Sequence, residues 1–149
     1  MMPGMDERKR RLVERAVTAA VRARPVLDKR AAALAELVPL TDGAIAAARA
    51  WLASGDPQPS LDACAAVAPA IERAWRRWDD HASLTRDLIA LKRAVHAAEA
   101  AALAARAAAW SPFDHAIRDD AAAEDRAADG PVREVFEAER CAALALGLM

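Results

Sequence analysis

The 149 residues include no tyrosine and no asparagine, only two phenylalanines, five glycines and two cysteines. Each scarcity removes a class of protein. Cys64 and Cys141 lie far apart and cannot form a disulfide framework. No Cys-x-x-Cys or His-x-x-x-His occurs, so the standard zinc patterns are absent. The glycines are scattered through termini and loops, and none builds a Gly-rich phosphate loop. The four serines, Ser54, Ser60, Ser83 and Ser111, stand beside turns or at helix starts, where capping accounts for them without nucleophilic catalysis. No β-branched or aromatic run alternates at period two, so no strand is expected. There is no signal peptide and no run apolar enough to span a bilayer, since Glu99 and Arg106 interrupt the Ala-rich stretch 97–109.

What remains is dominated by alanine, 43 residues of it, within a hydrophobic fraction of 55%. Arginine outnumbers lysine 18 to 3, the mark of GC-rich coding, and the expected setting is a bacterial cytoplasm with reduced thiols. Each cysteine reads as a small core residue. The chain is of one-domain size. Alanine buries little area, so the large apolar side chains Trp51, Trp75, Trp78, Trp110, Phe113 and Phe136 are expected to anchor the core.

The longest uninterrupted element is 84–110, which holds no Gly or Pro for 27 residues. Leu84, Leu88, Leu91, Val95, Ala98, Ala102, Ala105 and Ala109 alternate at spacings of four and three, the seam of a helix that faces partner helices. A second seam, Leu61, Cys64, Ala68, Ile71, Trp75 and Trp78, follows Ser60, with Pro69 read as a kink. Segments 60–80 and 84–110 are therefore expected to pair as a central antiparallel hairpin. Before them come helices over 6–24, 26–38 and 43–53, punctuated by Pro25, Pro39 and an N-cap at Thr41 or Asp42. The first shows an apolar stripe of Leu12, Val13, Ala16, Val17, Ala20 and Val21. After them, Ser111-Pro112 restarts a helix, 119–130 is polar and acidic, and 132–146 docks through Val132, Val135, Phe136, Ala143 and Leu144. The expected fold is all-α: one domain over 6–149, a helical bundle of six to seven helices, with a disordered start at 1–5 and its main loop at 54–60.

Net charge is −1, but residues 1–30 carry a net of +5 and residues 111–149 a net of −5. Either the two ends face each other, or the basic helix with Arg8, Lys9, Arg10, Arg11, Arg15, Arg22 and Arg24 meets a phosphate backbone. Trp75-Arg76-Arg77-Trp78-Asp79-Asp80-His81 is the densest chemistry, and Arg76, Arg77, Trp78, Asp79 and Asp80 are the candidate partner-binding residues. Di-iron bundles use Glu-x-x-His twice. This chain has only the reverse, His96-x-x-Glu99, together with His115 one turn before Asp119 and His81 beside Asp79 and Asp80. A metal would have to draw on His81, His96, Glu99 and His115, and nothing in their spacing makes them converge. Asp79/Asp80 and Asp119/Asp120 are adjacent pairs pointing about 100° apart on a helix, so neither is a paired-carboxylate site.

The stretch AIAAARAWLASG, residues 44–55, resembles the alanine-rich helical immunity proteins of bacterial polymorphic-toxin systems. The likeness covers a dozen residues. It implies a small cytoplasmic protein that blocks a toxin by binding it, and it assigns no site residues. The sequence is thus read as a non-catalytic module that binds another protein or a second copy of itself, without cofactor, catalytic residue or membrane contact. The alternatives are a nucleic-acid-associated protein using the basic N-terminal helix and a metal-binding bundle enzyme using His81, His96 and His115.

Overall fold

An alanine side chain ends at Cβ, so helices rich in alanine gain contact only where their backbones approach closely, at the low end of about 8–10 Å between axes. The computed structural model, which describes residues 3–79, 86–111 and 131–149, is built around one such helix. Its elements are α1 (Pro3–Asp28), α2 (Leu37–Ser54), α3 (Gln58–Asp79), α4 (Arg86–Ala109) and α5 (Val132–Ala145). The described residues are all-α. Helix α4 packs against each of the other four, and its broadest contacts are with α1 and α5. Ala97, Ala98, Ala100, Ala101, Ala104, Ala105, Ala107 and Ala108 are all fully buried, so burial extends around the helix beyond the expected seam. The cover comes from within the chain, and the spine supplies no reason of its own for a second copy.

Two apolar clusters lie along α4. One joins its alanine-rich C-terminal half to Val13, Ala16, Val17 and Ala20 of α1, Trp51 of α2, and Val135, Ala138 and Cys141 of α5. The other joins its N-terminal half, Leu88, Val95 and Ala98, to Leu27, Leu34 and Leu37 and to Val67 and Ile71 of α3. Cys64 meets the carbonyl of Ala102, and Trp75 meets His96, so α3 and α4 run in opposite directions. The central position nonetheless belongs to α4 alone, because α1 and α5 embrace it more fully than α3 does.

The helix boundaries depart from the sequence reading for physical reasons. Five helices are present among the described residues, where six to seven are expected from the sequence. Pro25 does not end α1, which continues for three residues to Asp28. The separate helix expected over 26–38 is absent. Residues 29–36 instead form turns, held mainly by bonds three residues apart such as Ala33 N–H to Arg30 O and Leu37 N–H to Leu34 O. Pro39 lies in the first turn of α2, where its missing N–H removes no intrahelical bond, so it marks a start and not a stop. Thr41 then falls inside α2, fully buried, with its hydroxyl unpartnered, and caps nothing. Ser60 is likewise inside α3 and buried without a partner, and the Asp56 carboxylate takes the Gln58 N–H at 3.0 Å at that helix start. The loop itself shrinks from 54–60 to 55–57, and Gly55 supplies the left-handed φ of 78° that ends α2.

The buried stripe of α3 is Val67, Ala70, Ile71 and Ala74; Leu61 is exposed, as is Ala68. In α5 the docking residues are Val135, Ala138, Cys141, Ala142 and Ala145, and Phe136 points outward at 57% exposure. The expected helix after Ser111 and the acidic segment 119–130 lie outside the described residues. No helix among the described residues is long and apolar enough to cross a membrane.

Two substitutions test this packing. Replacing fully buried Ala101 with Leu should cost about 1–3 kcal/mol by urea denaturation, while the same change at exposed Ala65 should stay within about 0.5 kcal/mol. Removing an orphaned hydroxyl by Thr41→Val should raise stability by about 1 kcal/mol.

Candidate functional site

Between Ala94 and Ala109 the spine carries only three polar side chains, His96, Glu99 and Arg106. Arg106 faces water. His96 and Glu99 are three apart, share a face, and retain only 25% and 28% side-chain exposure. Helix α5 lays Cys141, 3% exposed, against that face. One donor atom each from His96, Glu99 and Cys141 falls within 4.8 Å of the others. Trp75 of α3 closes another side, edge-on to the His96 ring at 5.0 Å between centroids and an interplanar angle of 62°. Two helices thus form one half-buried nitrogen, oxygen and sulfur cluster, and a third flanks it with Trp75.

Its electrostatics are unsettled in a specific way. His96 Nδ1 and Glu99 Oε1 approach to 3.0 Å, an ion-pair distance. The contact lacks hydrogen-bond alignment, and both atoms are sealed from solvent without a hydrogen-bond partner. A buried polar atom in that state costs about 1–3 kcal/mol. The Cys141 thiol is pushed up from its ordinary value to about 12, first by burial and then by the negative charge of Glu99. Cys64, half-buried with its Sγ 3.9 Å from the Ala102 carbonyl, is also raised by burial. Both thiols are free.

Of the four residues that a metal would draw on, two lie among the described residues. His96 and Glu99 are together; His81 and His115 lie outside the described residues. Cys141 is the member that sequence periodicity missed, because nothing in spacing reveals the register between α4 and α5. Only the local pattern, a cysteine on an otherwise Ala-rich docking stripe, could have drawn attention to it.

The candidate patch near the end of α3 divides. Arg76 and Arg77 are exposed, and Arg76 reaches back one turn to Glu72 at 2.6 Å. Trp75 turns inward to His96 instead of joining them. Trp78 and Asp79 are the last residues of α3, and Asp80 lies outside the described residues.

The basic first helix is heavily engaged within the chain. Lys9 Nζ donates to the carbonyls of Ala108 and Trp110, both at 2.8 Å, closing the C-terminus of α4, and it lies 4.3 Å from the Trp51 ring centroid. Arg10 donates to the Leu52 carbonyl near the end of α2. Arg11 pairs with Glu7 at 2.8 Å and Arg15 with Glu139 of α5 at 2.6 Å. Arg24 clasps Asp42 through two bonds of 2.5 and 3.0 Å and also reaches Asp28. That clasp lowers the Asp42 carboxyl below its usual range. Helix α1 packs along α5, with Arg15–Glu139 paired between them; most of the acidic residues of 111–149 lie outside the described residues.

No protein-family model, curated protein or solved structure matches the chain.

The Cys141 thiol gives a pH prediction. Its folded pKa is raised, so its contribution to stability is full below the unfolded thiol value and is lost as pH rises toward about 12. Unfolding free energy should therefore fall across that alkaline window, by at most about 1.4 kcal/mol per pH unit from this group. The chain has no tyrosine to titrate in the same range. Chemical denaturation at a series of alkaline pH values should show a shallower fall for Cys141→Ala.

Proposed function

We propose that the chain is a non-catalytic helical protein-binding module of a bacterial cytoplasm, of the adaptor or inhibitor type, which holds its partner along the seam between α1 and α5. The observation that carries this reading is Phe136, 57% exposed on α5 with the Arg15 guanidinium 5.7 Å from its ring centroid. Arg15 also borders an open depression on α1, lined with Glu7, Arg8, Arg11 and Leu12. An exposed aromatic flanked by arginine is the composition enriched at the energetic centres of protein interfaces.

The pairs Arg11–Glu7 and Arg15–Glu139 are solvent-exposed, and such pairs contribute only about 0–1 kcal/mol. A partner's carboxylates therefore displace them at little cost. The complementary partner is an acidic helical surface with an apolar side chain at its centre to cover Phe136. Such charge complementarity chiefly accelerates and orients encounter, while the desolvated aromatic supplies affinity. A second reading places the partner at the far end of α3, where Arg76 keeps 75% side-chain exposure. Nucleic acid is the less favoured partner, because Lys9 and Arg10 are held on helix-end carbonyls and Arg24 is clasped by Asp42.

The test is affinity capture from the source cell with the native mass of the captured complex. The expected result is one stoichiometric protein, or a second copy of the chain, whose retention drops at least tenfold with Phe136→Ala combined with Arg15→Glu. The variant's Tm should stay near that of the parent, since Phe136 is exposed. Loss of capture with Arg76→Glu and Arg77→Glu instead would move the interface to the end of α3. Salt-sensitive retention on heparin without a protein partner would overturn the reading in favour of nucleic acid.

A further inference from the structure

We infer that His96, Glu99 and Cys141 form a binding site for a single borderline-soft divalent cation, zinc in the first instance, which clamps α5 to the spine. The geometry is three donors of different chemistry brought within 4.8 Å of one another from two helices. In a tetrahedral zinc site, bonds of about 2.0–2.3 Å leave donors roughly 3.3–3.8 Å apart. The cluster needs a contraction of about 1 Å, which side-chain rotation supplies without moving a helix. His96 and Glu99 already stand 3.0 Å apart.

The burial pattern points the same way. His96 Nδ1 and Glu99 Oε1 are sealed from water and unpaired, and each is a lone-pair donor to a metal. A cation placed among the three donors satisfies both orphans and neutralises the carboxylate at one stroke. It also takes the thiolate of Cys141, whose proton leaves to solvent as the sulfur–metal bond forms, so binding releases one proton and changes no oxidation state. A histidine nitrogen, a carboxylate oxygen and a thiolate sulfur form a set suited to zinc or cobalt and poorly suited to magnesium or calcium, which take oxygen donors. Three protein ligands leave the fourth position for water or a partner's side chain.

The site is independent of the α1/α5 docking seam, and its test does not require a partner. Cobalt(II) added to the metal-free protein reports both geometry and ligand. The expected result is one cobalt per chain, with the visible bands of tetrahedral coordination and a near-ultraviolet thiolate charge-transfer band. Zinc should displace it, and zinc added instead to the metal-free protein should release about one proton per chain. Cys141→Ala, a small change in an alanine-lined core, should abolish the thiolate band and weaken zinc binding about 100-fold or more. His96→Ala should weaken zinc similarly, while Cys64→Ala should leave both readouts unchanged. Zinc at about a hundredfold its Kd should raise the Tm of the parent by about 5–10 °C and leave that of Cys141→Ala unmoved. Absence of a cobalt thiolate band in the folded parent would overturn the inference. So would a band lost with Cys64→Ala and kept with Cys141→Ala, or zinc binding that survives in both Cys141→Ala and His96→Ala.

Discussion

The close approach of backbones along α4 is the constraint on which the rest of the molecule depends. Eight fully buried alanines between Ala97 and Ala108 leave almost no side-chain volume with which to separate the helices. Contact must come from many small dispersion terms, each effective only at short range. This explains why one helix touches all the others and why the few large side chains sit at its margins. Trp51 fills the junction of α1, α2 and α4, and Trp75 fills the edge beside His96. It also explains the composition of the half-buried cluster. Of the three longer polar side chains that this methyl-lined stretch carries, Arg106 reaches water, while His96 and Glu99 are partly buried beside Cys141 of α5.

Charge is deployed in the service of the same packing. The helix dipole and the unpaired carbonyls at the end of α4 require donors, and Lys9 supplies them from a distant part of the sequence. Arg10 does the same for the end of α2, and Arg24 ties α1 to α2 through Asp42. Lys9, Arg10 and Arg24 of the basic run thus act as clamps among helices. What remains outward among the described residues is a mixed surface in which weak ion pairs flank the Phe136 ring.

Much of this was legible in the residues. The spine announces itself through its seam and its lack of Gly and Pro, and Gly55 marks the end of α2 because a left-handed cap favours it. The prolines were less legible. Proline is tolerated at the beginning of a helix and costly in its middle, so Pro39 signifies a start or a stop according to which side continues, and that is settled by tertiary packing of Leu34 and Leu37. The faces of α3 and α5 shifted by one or two residues for a related reason. Where Ala lies on every side of a helix, periodicity scarcely distinguishes one face from its neighbour, and Val67 and Val135 win over Leu61 and Phe136 through fit rather than size. Of the cluster, the His96–Glu99 half followed from helical spacing; Cys141 required the register between two helices, which no single segment encodes.

The hold of Lys9 on Ala108 and Trp110 spans 99 and 101 residues of chain. Helix α1 leaves a ribosome before α4 and α5 do, yet the surfaces that cover Val13, Ala16, Val17 and Ala20 are contributed largely by those two later helices. Until then it can cover part of that stripe only against α2. The fold is thus closed by long-range contacts despite being built of local ones, and loop closure, more than helix formation, is the slow event such an arrangement imposes. During synthesis the nascent chain displays an apolar stripe beside a concentrated positive charge, a combination that favours transient capture by an acidic or chaperoning surface before the spine arrives to displace it.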